Sequence, residues 1–424
     1  MLCIQRLKMN KKTLLLITLL LSFSFGFAGV FELYGLGKVG MNYSVSAMGR
    51  AKSSVAYSDT LTVNLQNPAN LAYIQKAGIE MAVNSNHNAI AGTGNTDNYT
   101  GFSYGMIKFP LSRKGGFTLG LAPLTSSHAS YQIVDEVNQY NETATSVGNI
   151  YAATLGAGYS FFKHGELAIG ASADFMIGGY NIVKEMDFTS NSYSDVIIET
   201  DEGFTGWKFT GGISVKPLKN LTLGASYSYV SNSSRRQITN YMTNSSYFYS
   251  YIDTVEYSNT TVFPNRFSLG LAYMPIPRYI FTLDWMQYQF DDLASDYSFN
   301  PFYEGSQILP FNHYGLGFEK QGQLSEYLPY YQSLTYRGGV FFEEQYMANS
   351  QGTPVKTYGL TLGLGVPFTK YQNRVDAAFM VEYNTGTIYE QSGIPAINID
   401  EFVYSFNLSI TIAENWFKTR GKYR

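Results

Sequence analysis

From residue 79 onward, apolar positions alternate with small or polar ones in segment after segment of the chain. Tyr151, Ala153, Leu155, Ala157, Tyr159 and Phe161 take every second position, against Ala152, Thr154, Gly156, Gly158 and Ser160. Leu221, Leu223, Ala225, Tyr227 and Tyr229 repeat the pattern against Thr222, Gly224, Ser226 and Ser228. So do Tyr358, Leu360, Leu362, Leu364 and Val366, and again Phe402, Tyr404, Phe406, Leu408, Ile410 and Ile412. Side chains on a β-strand point to opposite faces in turn, so each segment has one oily face and one wet or small face. Aromatic residues sit at the ends of several oily faces, as interfacial girdles around a lipid-facing band require.

About fourteen such segments follow one another, near residues 79–90, 99–110, 115–124, 150–162, 166–180, 203–216, 220–231, 262–274, 278–290, 311–320, 333–345, 355–366, 375–386 and 401–413. The number is even, and each segment is long enough to cross a bilayer when tilted. The connections sort by length. Alternate ones are mostly tight, at 111–114, 163–165, 217–219 and 275–277, with 321–332 and 367–374 somewhat longer. The others are mostly long and polar, at 125–149, 181–202, 232–261, 291–310 and 387–400, with 91–98 and 346–354 shorter. Short turns on one side and long loops on the other are the asymmetry of outer-membrane barrels. The pattern predicts an all-β protein, a transmembrane antiparallel β-barrel at residues 79–417 in the outer membrane of a Gram-negative-type bacterium, with both termini periplasmic.

The N-terminus fits export. Arg6, Lys8, Lys11 and Lys12 precede an apolar run at 14–25, and Gly26, Phe27 and Ala28 offer a cleavage site, so residues 1–28 read as a signal peptide. Cys3 lies upstream of the apolar run and is no lipobox cysteine, and the mature chain from Gly29 has no cysteine to form disulfides. Loss of the leader leaves 25 basic against 32 acidic residues, a net charge of −7. That balance argues against nucleic acid as a partner. Aromatics at 16 % against charged residues at 14 %, with 40 glycines and no run of 18 apolar residues after the leader, suit a barrel and exclude helical spans.

By strand parity Asp174, Lys208, Arg266, Asp284, His313, Glu319, Arg337, Asp376 and Glu382 point into the lumen. In hydrocarbon a Lys or Arg at mid-depth would cost about 2–4 kcal/mol, so these charges pair or meet water inside. The bland role is a structural network, and the sharper one is gating.

Residues 29–78 show no strand series. They are small and turn-rich, with short helical pieces near 47–57 and 68–71, and too small to hold a core of their own. A plug inside the barrel uses such a stretch, because its polar backbone meets polar lumen walls. Its residues Ser46, Ala47, Met48, Gly49, Arg50 and Ala51, then Ala56, Asp59, and Asn67, Pro68 and Ala69 before Leu71, resemble the hatch of the FadL-type family. Those are outer-membrane transporters of long-chain fatty acids and other hydrophobic compounds. The resemblance implies a small hatch inside a fourteen-stranded barrel, with Gly49, Arg50, Asp59, Asn67, Pro68 and Ala69 as its motif and Arg50 and Asp59 anchoring it to lumen charges. Asn67 and Pro68 also suit a helix start, as N-cap and first residue. The family's third strand is kinked and opens the wall. Here Pro123 interrupts the third segment, and it either kinks the strand or merely ends it. The tail 418–424 is basic and has no assigned role.

No HExxH, Walker A, GxSxG or CxxC pattern occurs, and the four histidines, His87, His128, His164 and His313, are scattered. The sequence points to no enzyme, no cofactor and no metal. It points to a monomeric passive channel for hydrophobic small molecules such as long-chain fatty acids, in contact with outer-membrane lipid. The rival is a non-transporting scaffold that docks secreted proteins, as in type IX secretion, through its long loops.

Overall fold

A computed structural model describes residues 30–415 except 34, 58, 91–95, 136–139, 163–165, 190–193, 246–247, 291–306, 324, 326, 350, 369–372 and 392–393. The leader, His164 and the basic tail lie outside the described residues. Fourteen antiparallel strands close the barrel. They are β2 (Lys76–Ile90), β3 (Thr96–Ser112), β4 (Gly115–Asp135), β5 (Tyr140–Phe161), β6 (Leu167–Phe188), β7 (Asp195–Leu218), β8 (Leu221–Val230), β11 (Asn265–Ile276), β12 (Tyr279–Gln289), β14 (Phe311–Lys320), β15 (Thr335–Ala348), β16 (Pro354–Phe368), β17 (Asn373–Gln391) and β18 (Ile394–Asn415). Each pairs with the next, and β18 pairs with β2 from Asn415↔Lys76 to Glu401↔Ile90, so the ring has no seam there. No described helix is long and apolar enough to cross a membrane, and the spans are strands.

The expected alternation holds in space. Leu155, Leu223, Leu283, Leu316, Leu360 and Leu362 are exposed on the outer wall, while Thr118, Ser226, Ser268, Thr361 and Ser409 are buried on the inner one. A lipid-facing barrel is in this sense turned inside out.

Four stretches expected to be loops are largely strand, among them 387–400, where β17 runs on to Gln391 and β18 begins at Ile394. Residues 125–135 continue β4, 140–149 begin β5, and 181–188 and 195–202 extend β6 and β7. Within 232–261 stands a hairpin of β9 (Ser233–Ser245) and β10 (Phe248–Thr261). Above Lys208, β7 leaves β8 and pairs with β9 instead, from Thr205↔Ser234 to Asp195↔Asn244. Burial along these upper strands does not follow the lipid-facing pattern: Thr125 to Ala129 are buried on both faces and 181–184 are half-buried throughout, so the alternation of an oily outer face is absent from them. Two short strands complete the set, β1 (Lys38–Val39) and β13 (Gln307–Ile308).

The segment from Val30 to Ile74 lies inside the barrel. It holds a one-turn α-helix, Val45–Met48, capped by the Ser44 side chain, and 3-10 turns at Val30–Leu33 and Pro68–Tyr73. Its first described residues pack beside β4 at the loop end, where Ser127 Oγ donates to the Glu32 carbonyl at 2.7 Å. Asn415 lies at the turn end. The first described residues thus stand at the opposite end of the barrel from Asn415.

Candidate functional site

The hatch is held by charge at its centre. Arg337 on β15 donates to Glu319 at 2.7 Å and to Asp376 at 2.6 Å. Arg374 on β17 meets Asp376 at 2.7 Å and the hatch carboxylate Asp59 at 2.5 Å, and Arg50 of the hatch pairs with Glu319. Three guanidiniums therefore face three carboxylates, and the cluster is neutral. Each barrel charge would be costly alone in so dry a place, and each is stabilised only by the full set. Burial pushes Asp59 up, but Arg374 and Arg337 outweigh it and hold its carboxyl well below the usual range. Asp59 also accepts from the Leu61 and Thr62 amides at 2.8 and 2.7 Å, which shapes the hatch turn.

A second cluster joins the upper hatch to the wall. Lys38 meets Glu382 at 2.5 Å, Lys52 meets Glu343 at 2.8 Å and Glu382 at 3.2 Å, and His313 lies 2.9 Å from Glu343. Asp284 makes no ion pair among the described residues. It accepts from the backbone amides of Ser54 and Val55, at 2.5 and 2.7 Å. Asp174 and Lys208 pair at 2.9 Å. Every lumen charge named from parity is buried inside.

Backbone contact completes the seat. A Cβ on Gly363 would come within 2.9 Å of Gly49 Cα, one on Gly158 within 2.6 Å of the Pro68 carbonyl oxygen, and one on Gly317 within 2.6 Å of the Arg50 carbonyl oxygen. Gly170, Gly212 and Gly224 face the hatch as closely. Asn67 fastens the Asn-Pro-Ala turn. Its Oδ1 accepts from Ala69 N at 3.0 Å, and its Nδ2 donates to the carbonyls of Val55 at 2.8 Å and Ile213 at 3.0 Å. Pro68 and Ala69 follow, both buried. Replacing Asn67 with alanine orphans these groups, and thermal melting should report a loss of about 2 kcal/mol.

The wall is incomplete on one side. β3 and β4 pair only up to Gly105↔Leu121. Beyond that β3 stays with β2, and β4 stays with β5 through a register shift between Pro123 and Thr125. Pro123 thus stands inside a long strand at an irregularity, not at its end. The freed edge of β4 takes the hatch strand β1 instead, Lys38 opposite Ser126 and Val39 opposite Thr125. Across the cleft the rings of Tyr99 and His128 lie 3.6 Å apart. His128 Nδ1 is 2.9 Å from Ser126 Oγ, a serine–histidine contact two residues apart on one strand, and neither residue lines a cavity among those described.

Residues flanking β1 line two cavities. One is walled by Leu36, Val39, Leu124, Met176, Val230 and Phe263, with Lys208 and Arg266 at its polar margin. The other has Phe31, Tyr346 and Met347 on one side and Glu32, Lys38 and Glu382 on the other. Arg266 is 3 % exposed; its guanidinium donates to the Gln66 side chain and carbonyl, Nε has no partner, and no carboxylate pairs with it among the described residues.

Several of these residues escaped sequence reading. Arg374 falls in a stretch read as a turn. Lys38, Lys52 and Gln66 lie in a segment without periodicity. Ala51 and Lys52 adopt left-handed φ of 54° and 60°, which no residue type there announces. No group of three or more His, Cys, Asp or Glu stands ready to hold a metal ion among the described residues.

Fold and site together define a fourteen-stranded β-barrel of the outer-membrane kind, plugged by an ion-paired N-terminal hatch. The family model that matches the chain, over residues 9–423, is BamG, so the chain belongs to the BamG family; FadL-type architecture describes its shape. No curated protein matches it. Among solved structures it resembles a Pseudomonas aeruginosa FadL homologue, with TM-score 0.63 at 12 % identity over 93 % of this chain and 100 % of that one. The Ralstonia pickettii toluene transporter TbuX follows, with TM-score 0.58 at 12 % identity over 91 % and 100 %. The Pseudomonas putida toluene transporter TodX gives 0.57 at 13 % over 92 % and 100 %. At such identities the fold is what is shared.

Proposed function

We propose that this protein is a passive, non-catalytic outer-membrane channel for amphipathic hydrophobic molecules, of which long-chain fatty acids are the type. One observation carries the reading. Arg266 is a buried guanidinium without a carboxylate partner, at the margin of an apolar cavity that is also lined by the irregular stretch of β4. A buried charge calls for a counter-ion, and an apolar wall calls for hydrocarbon; a carboxylate with an acyl chain satisfies both. The hatch lines this cavity through Leu36 and Val39, so release of β1 from β4 is the step that would empty it sideways. Oleate binding should fall about tenfold or more in Arg266→Gln and survive in Arg266→Lys. Equal binding by the native and glutamine forms, or none by the native protein, sinks the reading.

A second reading, a docking scaffold for secreted proteins, is favoured by the seat itself. A hatch fixed by a neutral six-charge cluster and by backbone against glycine suits a sealed barrel, and the β9–β10 hairpin offers it a surface. Vesicles holding the scaffold would take up no fatty acid at all.

A further inference from the structure

The turn end of the barrel carries a repeated pair of features that the hatch and cavities do not use. At four successive turns one large apolar side chain stands out at the tip: Leu111, Phe162, Leu218 and Ile276, each 60–65 % exposed. Three of these turns also carry exposed cations, Arg113 and Lys114, Lys219, and Arg278, and Lys320 follows at the next. None of these five cations forms an ion pair among the described residues. On the described surface of this end the acids are Glu166 and Glu414. The opposite end is acidic, with Glu185, Asp187, Asp201 and Asp253 exposed on the upper strands and Glu256 paired there with Arg236. The molecule is thus polarised along its axis, and its positive pole is studded with apolar tips.

We propose that this arc of turns is a docking surface for anionic phospholipid headgroups. The chemistry is that of an interfacial anchor. An apolar tip inserts at the headgroup–acyl boundary, and the adjacent Lys or Arg meets the phosphate and the net negative charge. Charge complementarity selects the lipid. A zwitterionic headgroup neutralises itself, whereas phosphatidylglycerol leaves one charge for each cation to meet. Repetition over four successive turns makes a continuous arc of anchors along one side of the rim. This inference is independent of what, if anything, the lumen carries.

The test uses the full-length protein in vesicles of phosphatidylcholine and phosphatidylglycerol in equal parts. Spin-labelled forms of each lipid report their relative association with the barrel. The native protein should prefer phosphatidylglycerol by roughly fivefold at low salt, and added salt should abolish the preference. The combined variant R113Q/K114Q/K219Q/R278Q should bring the two lipids to parity. The combined exchange R113K/K114R/K219R/R278K should keep the preference. Heat-modifiable mobility in gels confirms that each variant is folded, and the salt series on the native protein stands if one is not. Equal association of the two lipids with the native protein, as a surface meant for a protein partner would give, overturns the proposal. So does an unchanged preference in the glutamine variant.

Discussion

Replacing Arg337 with methionine will unseat the hatch. Arg337 touches Glu319 at 2.7 Å and Asp376 at 2.6 Å, and lies 3.8 Å from Asp59. Methionine keeps much of the volume and removes the charge. Three carboxylates would then share Arg50 and Arg374, at a site from which water is excluded. Breaking a buried pair in this way costs about 3–5 kcal/mol, because the orphaned charge stays where it was. The barrel strands keep their ladders, so the loss falls on the hatch. Planar bilayers should show the native protein as nearly silent and the variant as conducting, with melting lowered as well. Adding Asp376→Asn restores the charge balance and should recover part of the loss. A silent variant with unchanged melting would mean that the cluster does not hold the hatch.

Gly170→Val tests the backbone half of the seat. A Cβ there would overlap the carbonyl carbon and oxygen of Pro68, and neither is the end of a flexible side chain. Overpacking a core typically costs 1–3 kcal/mol. Here the obstacle is backbone on both sides, so about 3 kcal/mol is expected, again with release of the hatch. Gly211 provides the control. Nothing lies within 4 Å of a Cβ there, on the next strand but facing outward. Gly211→Val should therefore be neutral or mildly stabilising, since valine suits a strand. Protease cutting in the hatch, compared between the two variants, separates them. Equal protection in both would show that the hatch accommodates the extra atoms by shifting.

The fourteen spans were legible because lipid on one face and lumen on the other impose a two-residue period. Leu221 to Val230 could hardly be read otherwise. The same rule explains what was missed. Where β7 rises as Asp195, Val196, Ile197, Ile198, Glu199 and Thr200, Ile197 is buried and the residues around it are half-buried on both faces, so no oily outer face is set apart and no alternation is required. Arg374 looked like part of a turn because its partners, Asp59 and Asp376, come from the hatch and from two residues along its own strand. The left-handed Ala51 and Lys52 are imposed by tertiary contact: Ala51 N donates to Thr361 Oγ1 at 3.0 Å, and Lys52 reaches Glu343. Asn67 was legible as a cap because capping is local chemistry. Its hold on Ile213, 146 positions away, was not.

The unequal lengths of the strands give the mouth a slope. β5, β6 and β7 have 22, 22 and 24 residues, whereas β8, β11, β12 and β14 have 10, 12, 11 and 10. At about 3.3 Å per residue and a tilt near 40°, a dozen extra residues raise one side by about 30 Å. Among the described residues the wall is therefore tall at β5 to β7, is carried on beside β7 by the β9–β10 hairpin, and has short strands at β11, β12 and β14. The described wall is thus uneven in height around its rim, so the molecule has a back and a front.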